Sequence, residues 1–251
     1  MNRPISFDSP SMFYPEVEML CASLKSRFEK MQKEPLPQND AIEINILFER
    51  HGFSFVSGFM DKIITSFIGF LSEKELEFFH NTRLATPLDL SNGLCVLSKH
   101  EYILRISKIL NDNKVPLSSI AHVCELVEPY LEDLHGTRKG ILSFFAPYSQ
   151  RYGWEKFWNN IGGEVAEFAL KTKEAEAFRF LSNVGNPYTI KVSLPFSNID
   201  HSGSTDFRII MAMIKSFFAR KYLDVDYSIC VDCYTKTNVP KSNILEVIAV
   251  R

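Results

Sequence analysis

Apolar residues first recur at helical spacing. Phe13, Val17, Leu20, Leu24, Phe28 and Met31 form one stripe, and Lys25, Arg27, Glu29 and Lys30 fill the positions between. The pattern predicts an amphipathic helix over 12–33, stopping before Pro35 and Pro37, since a residue that precedes proline is pushed out of the helical region. The segment Glu-Pro-Leu-Pro-Gln-Asn-Asp that follows is the best linker candidate. Over 41–48, Ile42, Ile44 and Ile46 alternate with Glu43 and Asn45, which reads as a short strand with helix as its rival. His51-Gly52 makes a turn, and residues 57–71 read as a buried helix carrying Phe59, Ile63, Ile64, Phe67, Ile68 and Phe70.

Two capping-box matches come next: Ser72-Glu73-Lys74-Glu75 and Ser98-Lys99-His100-Glu101. Each predicts a new helix, because the serine side chain and the acid three residues on can satisfy each other's free backbone N–H. The second helix presents Ile103, Ile106 and Leu110 and ends near Asn111-Asp112-Asn113. Another is expected from Leu117 towards Leu134, bent or stopped near Pro129.

The pattern then changes period. Strand-like runs lie at 140–145, 164–170, 188–194, 227–231 and 244–250, with helical patterns at 154–160, 172–181 and 206–222. The last helix has Phe207, Ile210, Met211, Ile214, Phe217 and Phe218 on one side and Lys215, Arg220 and Lys221 near its end, where cations suit the helix dipole. The expected class is α+β: a helical N-terminal half packed on a small mixed sheet. The expected division is a mainly helical region 1–72 and an α+β core domain 73–251.

Composition narrows the function classes. Of 251 residues, 45% are hydrophobic and 21 are phenylalanine, so an aromatic-rich interior is expected. A formal net charge of −2 gives no global basic field to draw nucleic acid or an anionic membrane. The five cysteines, Cys21, Cys95, Cys124, Cys230 and Cys233, are odd in number and scattered, unlike a secreted disulfide framework. The N-terminal residues lack the basic and apolar regions of a signal peptide, and the most apolar run, 63–71, is too short to cross a bilayer. The expectation is a soluble cytoplasmic protein, with delivery by a specialised secretion system left open.

Candidate chemistry is sparse. His135-Gly136-Thr137-Arg138 looks like the nicotinamide-binding edge of poly(ADP-ribose)-polymerase-type transferases, where backbone at the glycine binds the carboxamide and the histidine bonds the ribose. Gly136 would equally serve as a helix C-cap. His80-Asn81-Thr82 offers a His-x-Thr of the kind several NAD-using transferases carry on a first core strand; a helix end with a surface histidine is the plain alternative. Glu246 lies in the strand-like run Asn-Ile-Leu-Glu-Val-Ile-Ala-Val, where it either faces solvent on an edge strand or enters a cleft to support cleavage of a glycosidic bond. Glu167 has the same two readings. Cys230-Val231-Asp232-Cys233 lacks two further ligands at zinc spacing, so two buried or half-buried thiols and no metal are expected. No P-loop, G-x-G-x-x-G, G-x-S-x-G or H-E-x-x-H occurs.

Residues 141–168 carry a resemblance. The apolar run ends at Ser143-Phe144-Phe145, then come Trp154 and Phe157, Gly163, and Glu167-Phe168. This order resembles the bacterial family called domain of unknown function 2971, whose signature is an apolar strand ending in Cys-Phe-Ser, a Trp-x-x-Tyr, a glycine and often Glu-Phe. The run 188–194 also fits the family's order. Trp154-Glu155-Lys156-Phe157 departs from it in lacking the histidine and the tyrosine hydroxyl. Asn111-Asp112 lacks a following proline, and the late Glu-x-x-Arg has no counterpart.

The resemblance implies a fold distantly like the ADP-ribosyltransferases, and a role as an effector toxin in bacterial conflict or antiphage defence. On that basis NAD would bind near Gly136, Thr137, Ser143, Phe144 and Trp154. His80 or His135 would orient the nicotinamide ribose, and Glu246 would support glycosidic cleavage. Two alternatives stand beside it: a non-catalytic protein-binding module that has lost the catalytic set, and a glycohydrolase acting on NAD or a nucleoside. Whether His80 or His135 shares one cleft with Glu246 discriminates between them.

Overall fold

A computed structural model describes residues 3–34, 41–53, 58–85, 90–133, 141–151, 153, 175–201, 204–225, 227 and 230–250. The architecture is α+β: among the described residues, eight α-helices accompany a five-stranded antiparallel sheet. The strands are β1 (Glu75–Leu84), β2 (Leu142–Ala146), β3 (Asn186–Pro195), β4 (Val231–Thr235) and β5 (Ile244–Ala249), in the order β4-β2-β1-β3-β5. The expected mixed sheet is thus an antiparallel one.

The chain forms two compact units, each drawn from separated stretches. The first takes residues 1–78, 145–149 and 194–233. Its helices are α1 (Tyr14–Leu20), α2 (Lys25–Met31), α3 (Ala41–Arg50), α4 (Gly58–Leu71) and, from far along the chain, α8 (Thr205–Phe218). The expected single helix over 12–33 is two helices joined by a 3-10 turn at Ala22–Leu24, and of its expected stripe Phe13, Val17, Leu24, Phe28 and Met31 are buried while Leu20 is half-buried. The strand expected at 41–48 is instead α3. Ile44, Leu47 and Phe48 are buried at helical spacing while Ile46 is left 45% exposed, so the period of burial is helical despite the alternating isoleucines.

An aromatic cluster holds this unit together. Phe28 lies 5.2 Å from Phe218 and 5.9 Å from Phe53, and Phe48 lies 4.7 Å from Phe53 and 5.2 Å from Phe218. Stacked, tilted and edge-on pairs at these separations are favourable beyond the area they bury. One turn of π-helix, Ala219–Leu223, continues α8, with Asp224 in the left-handed region at φ 54°.

The second unit takes residues 79–144, 150–193 and 234–251. Its helices are α5 (Lys99–Asp112), α6 (Leu117–Asp133) and α7 (Ala175–Asn183). The capping box at Ser98 is present in full: Glu101 N–H donates to Ser98 Oγ, and Ser98 N–H donates to the Glu101 carboxylate at 2.8 Å. Ile106 and Leu110 pack with Ile120, Val123, Val127 and Leu181 to form a core. Pro129 sits within α6, which runs on to Asp133.

The capping box at Ser72 is not realised. Lys74 N–H closes a turn on Leu71 O, and the chain enters β1 instead of a helix. Burial drives this: Leu76, Glu77, Phe78, Phe79, Asn81 and Leu84 are all buried, so both faces of the strand are covered, which a one-faced surface helix could not achieve. The strand expected at 227–231 lies later, at 231–235, where Val231, Cys233 and Thr235 are buried in alternation. The helix expected at 154–160 and the strand expected at 164–170 lie outside the described residues.

Candidate functional site

Every described residue of the candidate NAD site lies in the second unit, where β1 sets the geometry. His80 lies on this strand, and its ring Nδ1 is 2.8 Å from Ser143 O on β2. A carbonyl only accepts, so Nδ1 carries the proton and the neutral ring keeps its lone pair on Nε2. Burial lowers the pKa of His80 below its usual value. The Ser143 hydrogen bond opposes that shift and the Arg105 guanidinium of α5 adds to it. His80 is therefore neutral at pH 7, with a fixed tautomer and an aromatic neighbour, Phe144, whose ring is 5.6 Å away.

Phe144 is 0% exposed, so its ring is spent on the interior. Successive residues of a strand point to opposite faces. Ser143 therefore presents its side chain on the face away from Phe144 and His80, although its carbonyl anchors the His80 ring.

The opposite face of β1 carries Asn81, which was not expected to matter. Asn81 is buried, donates from Nδ2 to Arg151 O at 3.0 Å, and accepts from Thr189 Oγ1 at 2.8 Å. Thr189 lies on β3, so this bond fixes Asn81 and Thr189 on one face, together with Lys191 two residues on. Lys191 agrees, its Nζ lying 5.9 Å from the ring of Phe79. In the antiparallel β3–β5 pairing Lys191 stands opposite Glu246, and directly opposed residues share a face.

Glu246 therefore projects on the Asn81 side and His80 on the other. The structure does not bring them together. Glu246 is exposed on a strand that ends the described sheet. The cation that weighs on His80 is Arg105, not a carboxylate. The other sequence-derived positions, His135, Gly136, Thr137, Trp154 and Glu167, lie outside the described residues.

Of the two thiols expected to be buried or half-buried, only Cys233 is; Cys230 lies at the surface. Cys230 is exposed and precedes β4, whereas Cys233 is buried within it, and burial pushes the Cys233 thiol well above the usual range, helped by the charge of Asp232. No group of three metal-ligating side chains occurs among the described residues.

The sequence reading missed Asn81, Thr189 and Arg105. The signal for the first two was available only once β1 is read as a strand, because the alternation of Glu75, Glu77, Asn81 and Arg83 against Leu76, Phe78, His80 and Leu84 is interrupted by Phe79. Comparison of the chain with protein-family models, with curated proteins and with solved structures found no match.

Proposed function

We propose that this chain is a non-catalytic protein-binding module that takes up an extended segment of its partner along β5. The supporting observation is the opposed placement of His80 and Glu246. Glycosidic cleavage of NAD needs the ribose-orienting histidine and the stabilising glutamate around one bond, within hydrogen-bond reach of it. A sheet lies between these two.

What β5 offers instead is a binding edge. Leu245 is 46% exposed and Val247 37%, an unusual load of apolar surface for the last strand of a described sheet. Strand addition supplies backbone hydrogen bonds for affinity and alternate side chains for selectivity. The test is a selection from a displayed library of extended peptides, together with incubation of the full chain with labelled NAD. Peptides retained by the wild type and lost by Val247→Pro, with no nicotinamide release, are expected. Nicotinamide release that disappears in Glu246→Ala overturns the reading.

A second reading, an NAD-using ADP-ribosyltransferase or a glycohydrolase, has one specific support. His80 sits on a central strand, neutral, with its tautomer fixed and a guanidinium nearby. That arrangement suits a hydrogen bond to a ribose hydroxyl from a dinucleotide whose phosphates Arg105 attracts. NAD turnover abolished by His80→Ala and untouched by Glu246→Ala would favour it. The resemblance to domain of unknown function 2971 would place either reading in prokaryotic defence or toxin systems.

A further inference from the structure

The first unit contains a cavity of about 640 Å³ that the readings above do not use. It is lined from two helices and a turn: Ser23, Ser26, Arg27 and Lys30 come from the α2 side, Lys62 with Phe59 from α4, and His51 from the turn after α3. The spacing explains the convergence. Positions 23, 26, 27 and 30 fall on one helical face, as do 59, 62 and 63.

Three basic side chains meet here, and among the described residues no carboxylate lines the cavity. Arg27 is held in place. Its Nη1 donates to His51 O at 2.6 Å, and its guanidinium lies 4.1 Å from the centre of the Phe59 ring. A guanidinium has five N–H donors, and among the described residues His51 O alone accepts from this one, so most of the fork is left for a ligand. The two lysines have no ion-pair partner among the described residues. The nearby acid, Glu34, is already engaged by His51 Nε2 and by Arg50 at 3.0 Å.

Like charges on adjacent helices repel, and a stacked arginine with spare donors is ordered at an entropic cost. An anion between them offsets the repulsion and uses a guanidinium whose ordering is already in place. The volume is that of a small-molecule site, larger than a lone phosphate requires, and Leu24, Ile63 and the edge of Phe59 give it an apolar wall. Planar, bidentate recognition by arginine with lysines as point charges is the chemistry of phosphate binding.

We propose that this cavity is a binding site for a small organic phosphate, with Arg27, Lys30 and Lys62 on the phosphoryl oxygens. The test uses the full chain with inorganic pyrophosphate and with adenosine monophosphate in isothermal titration calorimetry. It also uses vesicles containing a phosphorylated inositol lipid in co-sedimentation. Binding that weakens at least tenfold in Lys30→Ala/Lys62→Ala, and several-fold between 50 and 200 mM salt, is expected. Both lysines are exposed, so this variant should unfold at the same temperature as the wild type. Arg27→Lys keeps the charge but loses the fork and should fall between the two. Lys241→Ala, in the other unit, should bind as the wild type does.

Retention on vesicles that is lost in the double variant, without binding of the soluble probes, assigns the phosphate to a lipid headgroup. Binding of the soluble probes alone assigns it to a free metabolite, and either outcome supports the site. No binding in any arm, or binding that the double variant leaves unchanged, overturns it.

Discussion

Proline substitutions along β5 test the register on which the opposed placement of His80 and Glu246 depends. Val250 N–H donates to Pro187 O at 3.1 Å, in phase with the pairing of Tyr188 with Ala249 and of Thr189 with Ile248. Hydrogen-bonded and non-bonded pairs alternate in an antiparallel ladder. Ile248 and Glu246, in step with Val250, therefore turn their N–H groups towards β3, while Val247 and Ala249 turn theirs away. Leu245 is the extra residue at the bulge, since Lys191 opposes Glu246 and Val192 opposes Ile244.

Proline removes the N–H and fixes φ, a small matter where the donor points outward on an edge strand and a large one inside a ladder. Ile248→Pro removes the donor to β3 and should cost about 1–3 kcal/mol for the acceptor left unsatisfied, with ring strain adding to it. Val247→Pro breaks no described hydrogen bond and gives up a side chain already 37% exposed, so it should cost about 1 kcal/mol or less. Urea unfolding of the two variants measures the difference directly. Equal losses, or a larger loss for Val247→Pro, would mean that β5 is paired on its outer side or out of the stated register, and the facial argument would fall with it.

Two further outcomes follow from the same strands. His80 has a folded-state pKa below its unfolded value, so the unfolded chain binds the proton more readily. Stability is then full above the unfolded value of about 6.5 and declines as pH falls through the folded value. His80→Asn should flatten that decline between about pH 7 and 5 in thermal melts, and an unchanged slope would exclude His80 as its source. Thr189→Val leaves Asn81 Oδ1 buried without the hydroxyl it accepts from, and should cost about 1–3 kcal/mol in urea unfolding; a neutral change would mean that the bond is replaced.

How far the sequence carried depends on which signal each segment held. The capping box at Ser98 and the heptad-like stripe of the helix after it agreed with each other, and the helix is there. The equivalent box at Ser72 stood alone, and a short local motif lost to a strand that buries both faces. At 41–50 the alternation of isoleucines was a two-residue period laid over a helical one, and only Leu47 and Phe48 beside Ile44 revealed which face was interior. The His-x-Thr at His80 was legible as a pattern, and His80 lies on a strand. Its relation to Glu246 was not legible, because facing depends on strand order and register, which relate these two residues only through a third strand, β3, and leave no local trace. Asn81 illustrates the same limit: a polar residue inside an apolar run looks like surface until its partner, 108 residues later, is known.

The aromatic cluster of the first unit has a consequence for biosynthesis. Phe28, Phe48 and Phe53 leave the ribosome early, but Phe218, which touches the first two, comes 165 residues after Phe53. At about 5–20 residues per second the nascent chain waits roughly 10–30 s for that ring. During the wait Phe28 and Phe48 lack part of their final packing. Slow translation of the downstream message, or loss of chaperone capacity, should therefore raise the insoluble fraction of this protein before it alters anything in the finished molecule.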